Sequence, residues 1–408
     1  MAVKPKLALI PSGVKANKVY SVLPSDGVGD FDFSRSGSAT RVNKDGLIET
    51  VDSNVPRLNY PLIDGVVSGC PSLLLEPAST NLVTYSEDFS NAVWFPTPSL
   101  VTVTSNQFIS PDGALNADRL QIQSTSSLAI LSYLVSHTIG VKISVSAWVK
   151  SNTNSIQKIK LFGDYGTSNA VSSEFIVEDY WKRIEFTFTP TATGNRNVGF
   201  YNVSNLATDI QIFGFQSEVN SFATSYIPTN GSTVTRDAET CNGAGDANTF
   251  NDSEGVLFAE ISALANDGTT RRWSISDGSY SNRITLELDE ASNTLKAFVI
   301  LTDAEPSYSP SEVLSDITNY NKVAIKYKQN DFALWINGFE FDVDNSGDTP
   351  INLSKMQFAD GNGTDAPFYG NTKQIQYFDS ALNDTDLETL TSWTSFNEMA
   401  TGQLYSIQ

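Results

Sequence analysis

The chain has 408 residues, of which 18% are charged and 11% are aromatic, and its formal net charge is −20. This length is enough for the cores of two or three domains. The excess of acids argues against nucleic-acid binding, which needs a basic surface, and against docking on anionic lipid. The apolar run at 7–10 is too short for a secretory leader or a membrane span. Synthesis in a cytoplasm without a signal peptide, and no membrane insertion, are therefore expected.

Residues 1–80 are broken by proline and glycine, and no helical period survives in them. The Asp45-Gly46 pair lies between two strand-like arms and predicts a tight primed hairpin turn. Because strong apolar runs are few, this segment is predicted to order against a partner or against its own copies.

Residues 81–240 contain short alternating stretches separated by turn signals. In VKISVSAWVK, alternate residues from Val141 to Val149 share one face and Trp148 lies on the other. The region is predicted to form an antiparallel sandwich that closes at 221–227. The pair Arg236-Asp237 would then lead into a hinge, and limited proteolysis would cut near Gly243 or Gly245.

Residues 241–408 repeat this strand pattern. Asn337-Gly338 predicts a hairpin, and Leu382, Leu387 and Leu390 predict one short helix capped by Asp384 or Thr385. The predicted fold class is all-β: two antiparallel β-sandwich (jelly-roll) domains, at 81–240 and 241–408, after the turn-rich segment 1–80.

The motifs of common enzyme classes are missing from the sequence. His137 is the single histidine, and no nucleophile elbow, phosphate loop or dinucleotide fingerprint occurs. Glu287 and Asp289 share a strand face, but they lie near a turn and are more simply explained as solvated acids. No catalytic residue is predicted.

The candidate ligand-binding groups are acids for calcium and aromatic rings for sugars. No other cofactor is predicted. The calcium candidates are Glu87, Asp88, Asp342, Asp344 and Asp348. The candidates for stacking on a glycan are Trp94, Trp148, Trp181, Tyr201, Trp273 and Trp335. For Cys70 and Cys241, two buried thiols are the default expectation, and a single bridge between them is the alternative.

Three regions of the sequence carry a resemblance to a known family. FDFSRSGSATRVNKDGLIETV and PSLLLEPASTNLVTYSEDFSNAVW resemble the amino-terminal region of fibre and structural proteins of tailed bacteriophages. The stretch from PDGALNADRLQI to QSEVNSFATSYIPTNGSTVTRDAE is similar to the jelly-roll carbohydrate-binding-like domain of such proteins. ALWINGFEFDV and KQIQYFDSALNDTDLETL resemble a concanavalin A-like or laminin G-like sandwich.

This resemblance implies a virion fibre or spike, on the head or the tail, that binds host-surface glycans for adsorption. It further implies a homotrimer whose residues 1–80 attach to other virion proteins of the capsid, portal or tail. A purely structural virion adaptor or decoration protein, and a polysaccharide-degrading enzyme with lectin-like modules, are the alternatives. The resemblance supplies no catalytic residue and fixes no sugar site.

Overall fold

The computed structural model describes residues 3–153, 155–165, 170–302 and 306–403. The first strands are β1 Leu7–Leu9, β2 Val14–Lys15, β3 Lys18–Val19, β4 Phe31–Ser34, β5 Ala39–Val42, β6 Ile48–Val51, β7 Arg57–Asn59, β8 Leu62–Ile63, β9 Val66–Val67, β10 Ser72–Leu75 and β11 Ser79–Asn81. The middle strands are β12 Trp94–Pro96, β13 Val101–Ile109, β14 Leu115–Ile122, β15 Ile130–His137, β16 Ile143–Ser151, β17 Gln157–Tyr165, β18 Ala170–Val171, β19 Phe175–Val177, β20 Lys182–Phe188, β21 Gly194–Tyr201 and β22 Thr208–Glu218.

The last strands are β23 Val234–Arg236, β24 Thr240–Ala244, β25 Glu254–Ala263, β26 Arg271–Ser276, β27 Arg283–Leu288, β28 Thr294–Ile300, β29 Ser311–Val313, β30 Asn321–Lys328, β31 Phe332–Ile336, β32 Phe339–Asp344, β33 Lys355–Gln357 and β34 Gly370–Phe378. Two helices follow, α1 Asp384–Ser392 and α2 Phe396–Gly402. The predicted all-β class is confirmed, and the strands form two antiparallel sandwiches. In the described part of the chain, no helix has the length and apolar composition needed to cross a bilayer.

The central sandwich consists of a five-stranded sheet, in the order β13-β14-β22-β16-β20, facing a six-stranded sheet, β12-β15-β21-β17-β18 with β19 beside β17. On β16, Ile143 and Val149 point into the core between these sheets. Trp148 lies on the opposite face with Phe213 and Tyr226. The alternation predicted for this strand is confirmed, although Val141 lies outside it and is exposed.

The C-terminal sandwich packs an eight-stranded sheet against a nine-stranded one. The orders are β32-β31-β30-β25-β34-β10-β7, with β1 also on β34, and β2-β3-β4-β24-β33-β26-β27-β28-β29. Its core takes residues from both ends of the chain, among them Leu7, Phe31, Trp273 and Tyr377. This core is therefore built from strands that are far apart in sequence.

Residues before β11 supply strands to both sheets of the C-terminal sandwich. Leu7 pairs with Tyr377, Leu73 pairs with Thr372, and β4 pairs with β24. The segment therefore orders against its own chain, which differs from the expectation that a partner or another copy would order it. The physical reason is that its apolar side chains are too few to form a separate core, and they share one core with the later strands instead.

The two sandwiches meet at the short ladder between β11 and β23, where Ser79 pairs with Arg236. Beside this ladder lies a fully buried ionic network, in which Arg35, Arg57 and Arg236 form ion pairs with Glu76 and Glu239. The buried Glu218 is linked to it through Thr224 Oγ1, which donates to Glu218 and accepts from Arg236 Nη1. Arg57 contacts both Glu76 and Glu239, and Arg35 Nη1 donates to Glu239 Oε1 at 2.7 Å. Three cations thus face two ion-paired anions and the nearby third carboxylate, Glu218, at the junction.

This junction corrects the hinge prediction. Tyr226 and Ile227 are buried as expected, but Arg236 is buried too, and β24 pairs with β4 on one side and with β33 on the other. Gly243 has φ +82° at a register shift between Asn242 and Ala244, so it forms a bulge inside a paired strand. Cleavage near Gly243 or Gly245 is therefore no longer expected.

The predicted turns and caps have mixed outcomes. Asn337 and Gly338, with φ +51° and +89°, form the two-residue hairpin turn that was predicted. The hairpin predicted around Asp45-Gly46 is confirmed as the β5–β6 pair, but its tight two-residue turn is wrong: Val42 pairs with Ile48, so the loop has five residues, 43–47.

The chain end and the cysteines also need correction. Helix α1 buries Leu387 and Leu390 as predicted, but its N-cap is Asn383 rather than Asp384 or Thr385. The short helix α2 was not predicted. Cys70 and Cys241 are free thiols, and Cys70 is exposed, which differs from the expected pair of buried thiols.

Candidate functional site

An aromatic cleft of about 470 Å³ lies between the β8–β9 hairpin and one edge of the central sandwich. We use "aromatic cleft" for the space lined by residues 62–65, 148 and 180–183. The hairpin turn, Asp64 and Gly65, has φ +50° and +76°, as a two-residue primed turn requires. A Cβ atom on Gly65 would lie 2.8 Å from Tyr180 Cβ, so only glycine lets the hairpin approach this closely.

The aromatic side of the cleft combines Trp148, Tyr180 and Trp181. Tyr180 and Trp181 immediately precede β20, and the Trp181 indole is fixed by a 3.2 Å hydrogen bond from Nε1 to Ile109 O. Trp148 on β16 is the register partner of Arg183 on β20, so an indole and a guanidinium group lie side by side. Local strand pairing thus brings aromatic and charged groups to one wall.

Carboxylates hold Tyr180 as a hydrogen-bond donor. Its hydroxyl donates to Glu178 Oε2 and, at 3.0 Å, to Asp64 Oδ1. The bond to Glu178 and the neighbouring acid charges raise the pKa of Tyr180 above its usual value. The phenol therefore remains neutral and ties the hairpin tip to the sandwich.

Trp148 and Arg183 also line a smaller cavity of about 220 Å³ between the two sandwiches. Arg183 Nη2 donates to Ser146 Oγ at 2.9 Å. Trp148 is 8% exposed, and its indole nitrogen is buried with no hydrogen-bond partner in the described part of the chain. An unpaired buried donor is unfavourable by about 1–3 kcal/mol, so an acceptor brought by a ligand or by water would stabilise this wall.

The six predicted stacking residues have different fates. Trp148 and Trp181 meet in the aromatic cleft. Trp94 and Trp273 are buried in the two sandwich cores, and Trp335 packs under α1, so neighbouring side chains cover their rings. Tyr201 is partly exposed on β21, away from the cleft.

The other residues that line the aromatic cleft were not predicted from the sequence. Asp64, Tyr180 and Arg183 were not singled out. The Asp64-Gly65 pair in LIDGVV is a two-residue hairpin signal, and Tyr180-Trp181 is an aromatic doublet directly before a strand. These signals predict the local hairpin and strand, but they do not predict that Asp64 and Tyr180, more than a hundred residues apart, come into contact.

The calcium candidates come from two separate regions of the sequence. Glu87 accepts from the Tyr226 hydroxyl at 2.8 Å, and burial raises its pKa. Asp344 accepts from Ser346, and Asp348 accepts from Gln329. Asp88 and Asp342 belong to the same two regions of sequence. No cluster of three or more acids, histidines or cysteines suited to a metal occurs among the described residues, and calcium stays a prediction.

The residues considered for catalysis occupy structural positions. His137 is 1% exposed beside Phe188, and burial lowers its pKa. Glu287 accepts from Arg272 and Asp289 pairs with Lys296, so neither is the simply solvated acid that was expected. On the nine-stranded sheet, Glu287 is the register partner of both Arg272 and Lys296, and Asp289 follows directly after β27.

Fold and cleft together define an all-β protein of two antiparallel sandwiches with an aromatic-lined cleft between the β8–β9 hairpin and the central sandwich. No protein-family model matches the chain, and no curated protein matches it. Among solved structures, it is similar to "Ruminococcus gnavus IT-sialidase CBM40", with 17% identity, 37% of this chain and 94% of that chain covered, and a TM-score of 0.31.

Two further solved structures show similarity of the same extent. The CBM22-1 xylan-binding domain of Paenibacillus barcinonensis Xyn10C has 15% identity, 36% of this chain and 99% of that chain covered, and a TM-score of 0.29. A heptameric SAP-like pentraxin from Limulus polyphemus has 11% identity, 38% of this chain and 76% of that chain covered, and a TM-score of 0.30.

Proposed function

We propose that this protein binds glycans without cleaving them and that the aromatic cleft is its binding site. The observation that carries the proposal is the meeting of Trp148, Tyr180 and Trp181 with Asp64 and Arg183 in one open space. The cleft volume, about 470 Å³, lies within the range of small-ligand sites.

The chemistry of the cleft suits a sugar ring. Apolar C–H faces of a pyranose stack on indole and phenol rings, while its hydroxyl groups need donors and acceptors in fixed positions. Arg183 offers N–H donors and Asp64 offers carboxylate oxygens. Rigid strands and the Tyr180 hydrogen bonds position these groups before a ligand arrives.

We further propose that the protein is a fibre or spike of a bacteriophage virion and that glycan binding serves adsorption to a host. The support is the resemblance of its sequence to fibre and structural proteins of tailed phages. In this proposal the chain forms a homotrimer and attaches to capsid, portal or tail proteins through residues 1–80. Strands of that segment belong to the C-terminal sandwich, so its loops and exposed surface would make the attachment.

A glycan array, together with host lipopolysaccharide, tests the binding site. Trp181→Ala and Arg183→Ala are expected to weaken binding at least tenfold, because each removes a large side chain that lines the cleft. Tyr201→Ala is the matched control, since Tyr201 is an aromatic residue of the same sandwich outside the cleft. Equal loss in all three variants would contradict the assignment of the site. A blank array and no binding to lipopolysaccharide would refute glycan binding and favour the adaptor alternative.

Separate experiments address the virion role and catalysis. Immunogold electron microscopy is expected to place the protein on phage particles, and light scattering is expected to give a trimer mass. A protein missing from particles, or a clean monomer, would contradict these parts of the proposal. A reducing-end assay on host polysaccharide is expected to show no cleavage, and steady release of ends would instead establish the enzyme alternative.

A further inference from the structure

A second pocket, of about 540 Å³, opens on the outer face of the eight-stranded sheet and shares no lining residue with the aromatic cleft. We call it the sheet pocket. Its floor comes from β25, β30 and β34, and its walls come from residues 10–12, 58, 60, 69–71, 393–395 and 397. Distant parts of the chain thus converge on it.

The floor of the sheet pocket carries one carboxylate between two ammonium groups. Glu260 is the register partner of Lys322 on one neighbouring strand and of Gln374 on the other. Lys322 Nζ and Lys373 Nζ lie 3.9 and 3.7 Å from Glu260 Oε1, which is longer than a hydrogen bond. Both ammonium groups therefore keep N–H donors available for another anion.

A row of amides fixes this carboxylate. Gln374 Nε2 donates to Glu260 Oε2 at 2.9 Å, Gln376 Nε2 donates to Gln374 Oε1 at 2.9 Å, and Gln403 Nε2 donates to Gln376 Oε1 at 2.8 Å. Because each amide must donate toward Glu260, the orientation of the whole row is set by that acceptor. The floor is therefore rigid before any ligand arrives.

The charge of this floor differs from that of the protein as a whole. Glu260, Lys322 and Lys373 are the charged residues that line the sheet pocket, so its local balance is one positive charge. The whole chain has a formal charge of −20. A concave site with excess positive charge attracts an anion.

The walls are apolar and aromatic. Ile10, Pro11, Leu58 and Pro71 line the pocket together with Tyr60 and Trp393. These rings and aliphatic groups favour a ligand with an apolar body, because such a body removes their surface from water. An anionic group and an apolar body must then belong to one molecule.

We propose that the sheet pocket binds a small amphipathic carboxylate, with one carboxylate at Lys322 and Lys373 and an aliphatic or aromatic body against Tyr60 and Trp393. This site is independent of the aromatic cleft and of glycan binding there. The ammonium groups contribute charge-assisted hydrogen bonds, and the apolar walls contribute burial.

The test uses 4-phenylbutyrate and its neutral counterpart 4-phenylbutanamide, titrated into the full chain by calorimetry. The carboxylate is expected to saturate one site and to bind about tenfold more tightly than the amide, because the amide lacks the charge-assisted bonds. Equal affinity for the two probes, or no saturable binding of the carboxylate, would overturn the proposal.

Variants locate the site. Lys322→Ala combined with Lys373→Ala is expected to weaken carboxylate binding about tenfold and to leave the amide unaffected. Lys328→Ala is the matched control, because Lys328 is also on β30 but pairs with Glu254 outside the pocket. Ser12→Trp fills the pocket and is expected to abolish binding of both probes, with an unchanged thermal transition as the folding check.

The outcomes are separable from those of the glycan proposal. The double lysine variant is expected to bind glycans normally, since neither lysine lines the aromatic cleft. An unchanged carboxylate affinity in that variant would refute the sheet pocket as the site, whatever the glycan array shows.

Discussion

Replacing Glu239 by Gln tests whether the buried ionic network joins the two sandwiches. Glu239 is 1% exposed, and its carboxylate accepts from Arg35 Nη1 at 2.7 Å, from Arg57 Nε at 2.9 Å and from the backbone N–H of Glu76 at 3.0 Å. The amide keeps the shape but removes one of three negative charges facing three arginines. The network then holds an uncompensated positive charge at a position that is shielded from solvent.

The expected cost is large. Removing one partner of a buried ion pair destabilises a protein by about 3–5 kcal/mol, because the remaining charge is uncompensated. For a domain of 150–250 residues, this corresponds to a fall of roughly 6–20 °C in Tm. Glu174→Gln is the matched control, since Glu174 pairs with Lys158 at 3.0 Å on the surface. That change is expected to leave Tm nearly unchanged.

Differential scanning calorimetry and urea unfolding measure the effect, and pH provides a second readout. The charges of Arg236 and Arg57 outweigh burial and lower the pKa of Glu76 from 4.5 to about 2. A carboxyl with a lowered pKa in the folded state stabilises the protein above its unfolded pKa, and this contribution is lost as pH falls from about 4.5 to about 2. Each pKa unit corresponds to about 1.4 kcal/mol, so about 3 kcal/mol is expected to disappear in this window. A Glu239→Gln variant with wild-type Tm, or a wild-type protein whose stability does not fall between about pH 4.5 and about pH 2, would refute the reasoning.

Three further predictions concern single positions. Gly65→Ala is expected to weaken glycan binding because its Cβ would meet Tyr180 at 2.8 Å, whereas Gly69→Ala, at a similar positive φ with nothing within 4 Å, is expected to bind normally in the same array. Burial lowers the pKa of His137, which lies near Asp164 and Arg196. The folded protein is therefore expected to lose stability as pH falls below 6.5, because the unfolded chain takes up the proton first. Urea unfolding between pH 7.5 and 5.5 should show a flatter profile for His137→Phe, and an unchanged slope would contradict this role. Asn383→Ala removes the side chain that accepts from Asp386 N at the start of α1 and should cost about 1 kcal/mol by urea unfolding, so a value near zero would show that the cap is dispensable.

Local patterns allowed much of the fold to be predicted. Period-two alternation identified β16, and Asn337-Gly338 identified a hairpin, because both depend on neighbouring residues. Pairing between Leu7 and Tyr377 has no such local signal, since nothing in either stretch specifies a partner near the other end of the chain. The role of residues before β11 was therefore not predictable in detail.

The candidate site shows the same limit. Residue type pointed to Trp148 and Trp181 as candidates, but equally to Trp273, which the core covers. Which face of a tryptophan remains open depends on what packs against it. Trp148 packs against Phe213 and Tyr226 on β22 and the segment after it, and the β8–β9 hairpin forms the other side of the cleft that Trp148 lines.

The ladder between β11 and β23 joins the two ends of the central sandwich. The central sandwich is therefore an insertion in the C-terminal sandwich, whose strands come from before β11 and after β23. The inserted segment begins after Asn81 and ends before Val234, and these two residues are register partners. Partners across such a ladder lie about 5 Å apart, so a short turn could join them directly. Another sandwich with adjacent termini could therefore be inserted at the same ladder while both sheets of the C-terminal sandwich stay closed. The β8–β9 hairpin, which lies outside the inserted segment, would then face a different surface.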